Sequence, residues 1–349
     1  MSPRPEIPPP ILRTAAPRAQ GQRLRFAMPR PVPPGLWRRV PPAVFLPILG
    51  ALALALAWRG GIAAFALPGG AADLLAGAAV AVFAFAALAY GGKLARRPGV
   101  LADDLAILPG RAGIAAGVLS IYVAGALVAG FSPAPGRVIV GAGLAGHLVC
   151  AAVLVRVLRG LPPPHRRVTP VWHLGATGLI VAAGAALAAG WPGLARALFW
   201  PALAAALLIY AASARQALVE RVPAALRPLL AIHAAPPALF ALVALGLGWT
   251  GAGQALAWLA LAAAAVSVAC ARWLLPGGFS ALWGALAFPA AATAGAWVAL
   301  WRAVPTDAHR LIAGGLLVAA TLVVVPLLVV ILRDWARGRL PVRTNAAIA

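Results

Sequence analysis

Acidic side chains are nearly missing from this 349-residue chain, which sets seven Asp and Glu against 29 basic residues, with only a single Lys among the latter. The seven are Glu6, Asp73, Asp103, Asp104, Glu220, Asp307 and Asp334, and each falls in a tail, in a loop or at the end of an apolar run. No carboxylate is therefore expected deep in a membrane, where proton-coupled and cation-conducting paths place them. A path through such a protein tolerates anions, or neutral solutes, better than cations. Cysteine is as scarce. Cys150 and Cys270 have no CxxC partner and lie in apolar runs, which excludes a disulfide framework and makes both small packing residues. Five histidines, His147, His165, His173, His233 and His309, show no HxxxH spacing. Nothing assembles an enzyme's acid–base pair, nucleophile or metal set, and no cofactor or metal is expected. The alternative is a haem-binding or redox membrane protein using the intramembrane His147, His173 or His233.

What is present fixes the solvent. Hydrophobic residues make up 63% of the chain and charged ones 10%, and the mean hydropathy is +0.92. That is more apolar surface than a water-soluble domain hides. A spanning helix needs about 20 apolar residues, and only helices or closed barrels satisfy their backbone groups in lipid. The long Ala/Leu/Val runs lack the two-residue alternation of barrel strands, so the expected class is an all-α integral membrane protein. Ten runs qualify: 42–58, 73–90, 107–130, 138–158, 168–190, 194–214, 226–249, 254–273, 279–301 and 311–332. The loops are too short for a separate soluble domain.

The basic residues orient these spans by the positive-inside rule. With the N-terminus in the cytoplasm, 24 of the 29 lie inside, and only Arg59, Arg137, Arg196, Arg302 and Arg310 lie outside. The expectation is a multi-pass protein of the cell inner (plasma) membrane with both termini cytoplasmic. Residues 1–40, Pro/Arg-rich without an apolar core, read as a disordered cytoplasmic tail able to touch anionic lipid headgroups. Residues 41–335 form the ten-helix domain and 336–349 a cytoplasmic C-terminal tail. No apolar segment follows the first charges as a cleavable signal requires. The net charge of +22 is spread over every cytoplasmic loop, whereas a nucleic-acid surface gathers it on one face with aromatics; nucleic acid is not an expected partner.

Proline marks alternate spans. Pro47, Pro109, Pro170, the pair Pro236 and Pro237, and Pro289 place a proline in or just before every odd-numbered span, whereas Pro201 and Pro326 are the clear cases among the even ones. Proline bends a helix and frees a carbonyl, which a membrane accepts where the group faces protein or a wet cavity. The odd spans are thus candidates for an inner ring with kinks at these prolines, and His173, His233 and Thr293 are candidate pore-lining polar groups. The ninth span also raises a question of its own. WGALAFPAAATAGAW (283–297) sets one bulky ring, Phe288, before Pro289 among side chains too small to pack around it.

Several stretches resemble the tellurite-resistance/dicarboxylate transporter family, which includes the plant slow anion channels. LRPLLAIHAAPPALF (226–240) resembles its seventh span, and FSALWGALAFP (279–289) its ninth. GALALALAWRG near residue 60 and VTPVWHLGATGLIVAAG from residue 168 match the close of the first span and the fifth. The resemblance covers about 42 to 335. It implies five helical hairpins around a central pore lined by the odd spans, a homotrimer with one pore per subunit, and small anions as the cargo. By spacing, it makes Phe288 the equivalent of the phenylalanine that occludes the family's pore. This chain departs from the family pattern at Leu108, at the small residues before Phe288, and at His233.

Overall fold

The structure, a computed structural model, describes residues 35–276 and 279–349. Ten apolar helical segments follow one another: α1 Pro42–Phe65, α2 Gly70–Arg96, α3 Leu108–Ala129, α4 Pro133–Gly160, α5 His173–Ala188, α6 Pro192–Val219, α7 Ala224–Gly246, α8 Thr250–Ala269, α9 Ala281–Ala303 and α10 Asp307–Ala336. Nine of them, 20 to 30 residues long, are long and apolar enough to cross a membrane. The expected fifth span is shorter than its sequence window. Its first residues form a turn at Pro170, and the helix opens with a π-helical stretch, His173–Thr177. Among the described residues there is no strand. Of the expected N-terminal tail, residues 1–34 lie outside the described residues.

Local chemistry sets the helix ends. Asp73 stands in the first turn of α2 and Lys93 and Arg96 in its last, complementing the helix dipole at both ends. At the start of α10 the Thr306 hydroxyl accepts from the His309 N–H at 3.1 Å, a side-chain cap for one of the donors a helix leaves unpaired.

Each odd helix packs on the even helix after it: α1 on α2, α3 on α4, α5 on α6, α7 on α8 and α9 on α10. The odd helices also touch in a closed cycle, α1 to α3, α5, α7, α9 and back to α1. The result is five hairpins arranged around an axis. In α1, α3, α7 and α9, 67–78% of the apolar window is buried inside the protein, against 11–28% in α2, α4, α6, α8 and α10. The even helices present Leu88, Leu148, Leu208 and Leu322 outward, all exposed.

Both described chain ends meet at one end of the bundle. Ala349 N–H donates to Arg38 O at 2.9 Å, and the Arg38 Nη1 returns a bond to Ala349 O at 3.1 Å. After α10 the chain turns through the short helix Arg339–Arg343, burying Leu340, Thr344 and Ala346. Ala347 N–H then reaches Asp104 Oδ1 at 2.9 Å. The other oxygen of that carboxylate pairs with Lys93 Nζ at 2.7 Å, and both side chains are wholly buried.

Candidate functional site

The axis of the bundle holds a cavity of about 520 Å³ whose walls come from the five odd helices and from none of the even ones. Ala53 and Ala57 of α1, Val123 and Ala126 of α3, Val181 and Gly184 of α5, Leu242 and Val243 of α7, and Ala292 and Gly295 of α9 form its sides. Arg59, Leu187, Gly246 and Arg302 place its mouth at the end of the bundle away from the chain ends. Its floor is Phe288. Below the ring is a second, apolar space of about 10 Å³, lined by Leu46, Leu49, Leu174, Ile232, Gly284, Ala285, Phe288 and Pro289. That is room for about one water at most. Phe288 is the one aromatic in either wall and the one residue common to both.

Three features of sequence hold the ring there. The ninth helix starts as a 3-10 stretch, Ala281–Leu286, and becomes α-helical at Ala287–Ala303. Pro289 is the third residue of the α part, a first-turn position where its missing N–H is not needed by the helix. The pitch therefore changes just before Phe288, which turns the ring relative to a continuous α-helix. Gly50 of α1 then lies against the backbone at this point, so close that a Cβ there would overlap Ala287 and stand 3.0 Å from the Phe288 nitrogen. The ring is 5% exposed.

The other odd-helix prolines occupy similar junctions. Pro47 and Pro109 lie in the first turns of the α stretches Phe45–Phe65 and Leu108–Ala129. Pro236 and Pro237 open the α stretch Ala235–Gly246 after an eleven-residue 3-10 segment, Ala224–Ala234. Pro170 precedes the π-helical opening of α5. Pro47, Pro109, Pro236, Pro237 and Pro289 thus stand in the first turns of α stretches and Pro170 in the turn before α5. One carbonyl they leave without an N–H four residues on is capped by a side chain: His233 O, orphaned by Pro237, accepts from the Tyr210 hydroxyl at 2.6 Å. Leu105 O, left open where the short helix Val100–Ala106 ends at the extended Ile107, accepts from Arg111 Nε at 3.2 Å.

The three candidate polar groups lie off the axial walls. Thr293 is buried, and its hydroxyl bonds Pro289 O within its own helix at 2.8 Å. His173 Nε2 and His233 Nδ1 share a hydrogen bond of 2.9 Å, and His173 Nδ1 meets Thr177 Oγ1 at 3.1 Å. His233 instead lines a separate cavity of about 540 Å³ between α6, α7 and α8. His147 Nε2 donates to Gly175 O at 2.9 Å, so its Nδ1 accepts the Tyr122 hydroxyl at 3.2 Å. Both ring nitrogens of His147 and of His173 are thus engaged within the protein, which leaves the haem-ligand reading without support at two of its three histidines. Among the described residues, no group of three His, Cys, Asp or Glu side chains is placed to hold a metal ion.

The charges of the axial cavity are two arginines, Arg59 and Arg302, with no carboxylate in the wall. In sequence both are outside charges, exceptions to the positive-inside bias. Only their position in three dimensions shows that they share one mouth.

A family model described as voltage-dependent anion channel matches residues 39–332 of the chain. No curated protein matches it.

Proposed function

The chain belongs to the voltage-dependent anion channel family, and from that premise we propose that small anions pass along the axis of the odd helices and that Phe288 is the gate. The carrying observation is that this one ring lies between a cavity of about 520 Å³ and an apolar space of about 10 Å³. A constriction of that kind bars ions by leaving no room for their hydrating water. Walls of Ala, Gly, Val and Leu offer few groups to replace lost hydration, and stripping water from a charge is costly. The cost grows steeply with charge, so monovalent anions are favoured over C4-dicarboxylates and doubly charged tellurite-type oxyanions. The arginine-only charge of the mouth supports anions over cations.

The membrane placement follows the same physics. Among the described residues, the far end holds Arg59, Arg137, Arg196, Arg302 and Arg310, while the remaining Lys and Arg lie toward the end bearing both chain ends. This supports cytoplasmic termini in the plasma membrane. The family resemblance adds a trimer with one path per subunit.

The test is Phe288→Ala in liposomes loaded with chloride, nitrate, malate or tellurite. Flux of chloride and nitrate is expected to rise about tenfold or more, with Phe288→Leu between the two, and with malate lagging. A buried Phe→Ala change costs about 3–5 kcal/mol in a packed core; a ring with a cavity on one side should lose less. Unchanged flux together with a clear fall in thermal stability would show Phe288 to be a packing residue and overturn the gate.

A further inference from the structure

The two arginines of the axial mouth are not equivalent. Arg59 is committed three ways: Nη1 donates to Leu127 O at 3.0 Å, Nε lies 3.6 Å from Asp73 Oδ1, and the guanidinium carbon sits 4.0 Å above the Phe131 ring. Most of its field is answered by that carboxylate and by fixed dipoles. Arg302 lines the same cavity from the last turn of α9. Among the described residues its side chain has no hydrogen bond, ion pair or ring contact. It is also on the helix that carries Phe288, so its charge and the constriction share one rigid element.

We propose that Arg302 is an anion-recruiting residue, the uncommitted positive charge that concentrates singly charged inorganic anions in the cavity above Phe288, and that Arg59 is a structural pin of the same mouth. The proposal rests on the reading of the axial cavity as an anion path and names the residue that loads it. A cleft with low-dielectric walls focuses the field of a charge at its mouth and raises the local concentration of counter-ions. The effect is strongest at low salt and is screened as ionic strength rises. The carboxylate-free wall leaves that field unopposed inside the cavity.

The local potential can be measured without relying on conduction. In a Cys150→Ala, Cys270→Ala background, Ala299→Cys places a thiol in the cavity wall. Its rates of reaction with an anionic and a cationic methanethiosulfonate of similar size give a ratio that reports the potential there. Arg302→Gln is expected to lower the anionic-to-cationic ratio about tenfold at low salt, as removal of a unit charge roughly 8 Å away in a half-wet cleft would. Arg302→Lys should keep most of the ratio, and about 1 M salt should collapse the difference. Arg196→Gln, which removes the same charge at the same end but off the cavity wall, should change it less than twofold. Gly295→Cys gives a second reporter position should Ala299→Cys react poorly. An unchanged ratio in Arg302→Gln at both positions, or an equal fall in Arg196→Gln, overturns the assignment. Failure of the channel reading looks different: the ratio would fall with Arg302→Gln while Phe288→Ala liposomes passed no anion, leaving an anion-concentrating mouth without a path beneath it.

Discussion

The odd and even helices are made from the same few residue types and end up in opposite places. Hydropathy does not sort them. The most apolar window, at 3.0, belongs to α10 of the outer set, and the least apolar, at 1.3, to α9 of the inner set. In water the order would be reversed, because burial would follow hydrophobicity. In lipid the surroundings are as apolar as Leu, so burial goes to helices that can approach closely and to those with polar backbone to hide. The inner helices meet both conditions. Their glycines stand against neighbouring elements, as Gly50, Gly113 and Gly284 do, whereas Gly70, Gly77 and Gly91 of α2 face open space, and they contain the 3-10 and π-helical stretches whose carbonyls need protein partners. The outer helices are regular and show lipid their large side chains.

This difference is broken most sharply by adding bulk at matched glycines. Gly50→Val in α1 would drive a side chain into Ala287 and the backbone beside Phe288, and neither can yield without moving α9. Loss of folded protein from detergent extracts is the expected outcome. Gly77 in α2 has nothing within 4 Å of the added Cβ, so Gly77→Val should purify and melt like the parent. If both variants behave alike, close approach is not what selects the inner ring.

Lys93 sharpens the comparison because it is an exception. It lies on an outer helix yet is fully buried, bonding Asp104 at 2.7 Å and Val40 O at 2.9 Å. Tyr90 OH also donates to Asp104, at 3.0 Å. Removing one member of such a pair leaves an unanswered buried charge and costs about 3–5 kcal/mol. Lys93→Met alone should therefore lower thermal stability strongly, and Lys93→Met with Asp104→Leu should recover much of the loss. A double variant no better than the single would mean that the cluster is valued for the Val40 and Ala347 contacts rather than for the pairing of its charges.

The sequence made some of this legible and hid the rest. Apolar run length located the helices because it reports directly on the membrane. The alternation of prolines singled out the odd set because orphaned carbonyls belong inside, and the small neighbours of Phe288 in FSALWGALAFP set its ring apart. Lys93 read as an ordinary cytoplasmic charge, since its partner Asp104 and the Ala347 backbone that completes the cluster come from other parts of the chain. The His173 to His233 bond likewise joins residues sixty positions apart. Thr293 looked like a pore-lining hydroxyl in an apolar helix, but a threonine there can satisfy itself on the carbonyl four residues back, and it does. Arg59 and Arg302 stand in sequence as exceptions to the charge rule, and nothing in their linear positions brings them to one cavity.

The smallest expected effect concerns a single capped carbonyl, where an outer helix serves an inner one. Tyr210 on α6 donates to His233 O at 2.6 Å. That carbonyl is open because the residue four positions on is Pro237, which has no N–H. Tyr210→Phe keeps the ring and removes the donor, so it should cost about 1–2 kcal/mol, the penalty of an unsatisfied buried acceptor. Pro237→Ala restores an N–H at the position from which an α-helix would cap His233 O. In that background the hydroxyl has a competitor, and Tyr210→Phe should cost little. The two changes should therefore couple by about 1 kcal/mol in a double-mutant cycle read by thermal unfolding in detergent. Strict additivity would show that the Tyr210 hydroxyl and Pro237 act independently. The irregular start of α7 would then owe its place in the inner ring to side-chain packing and not to the carbonyl that Pro237 leaves open.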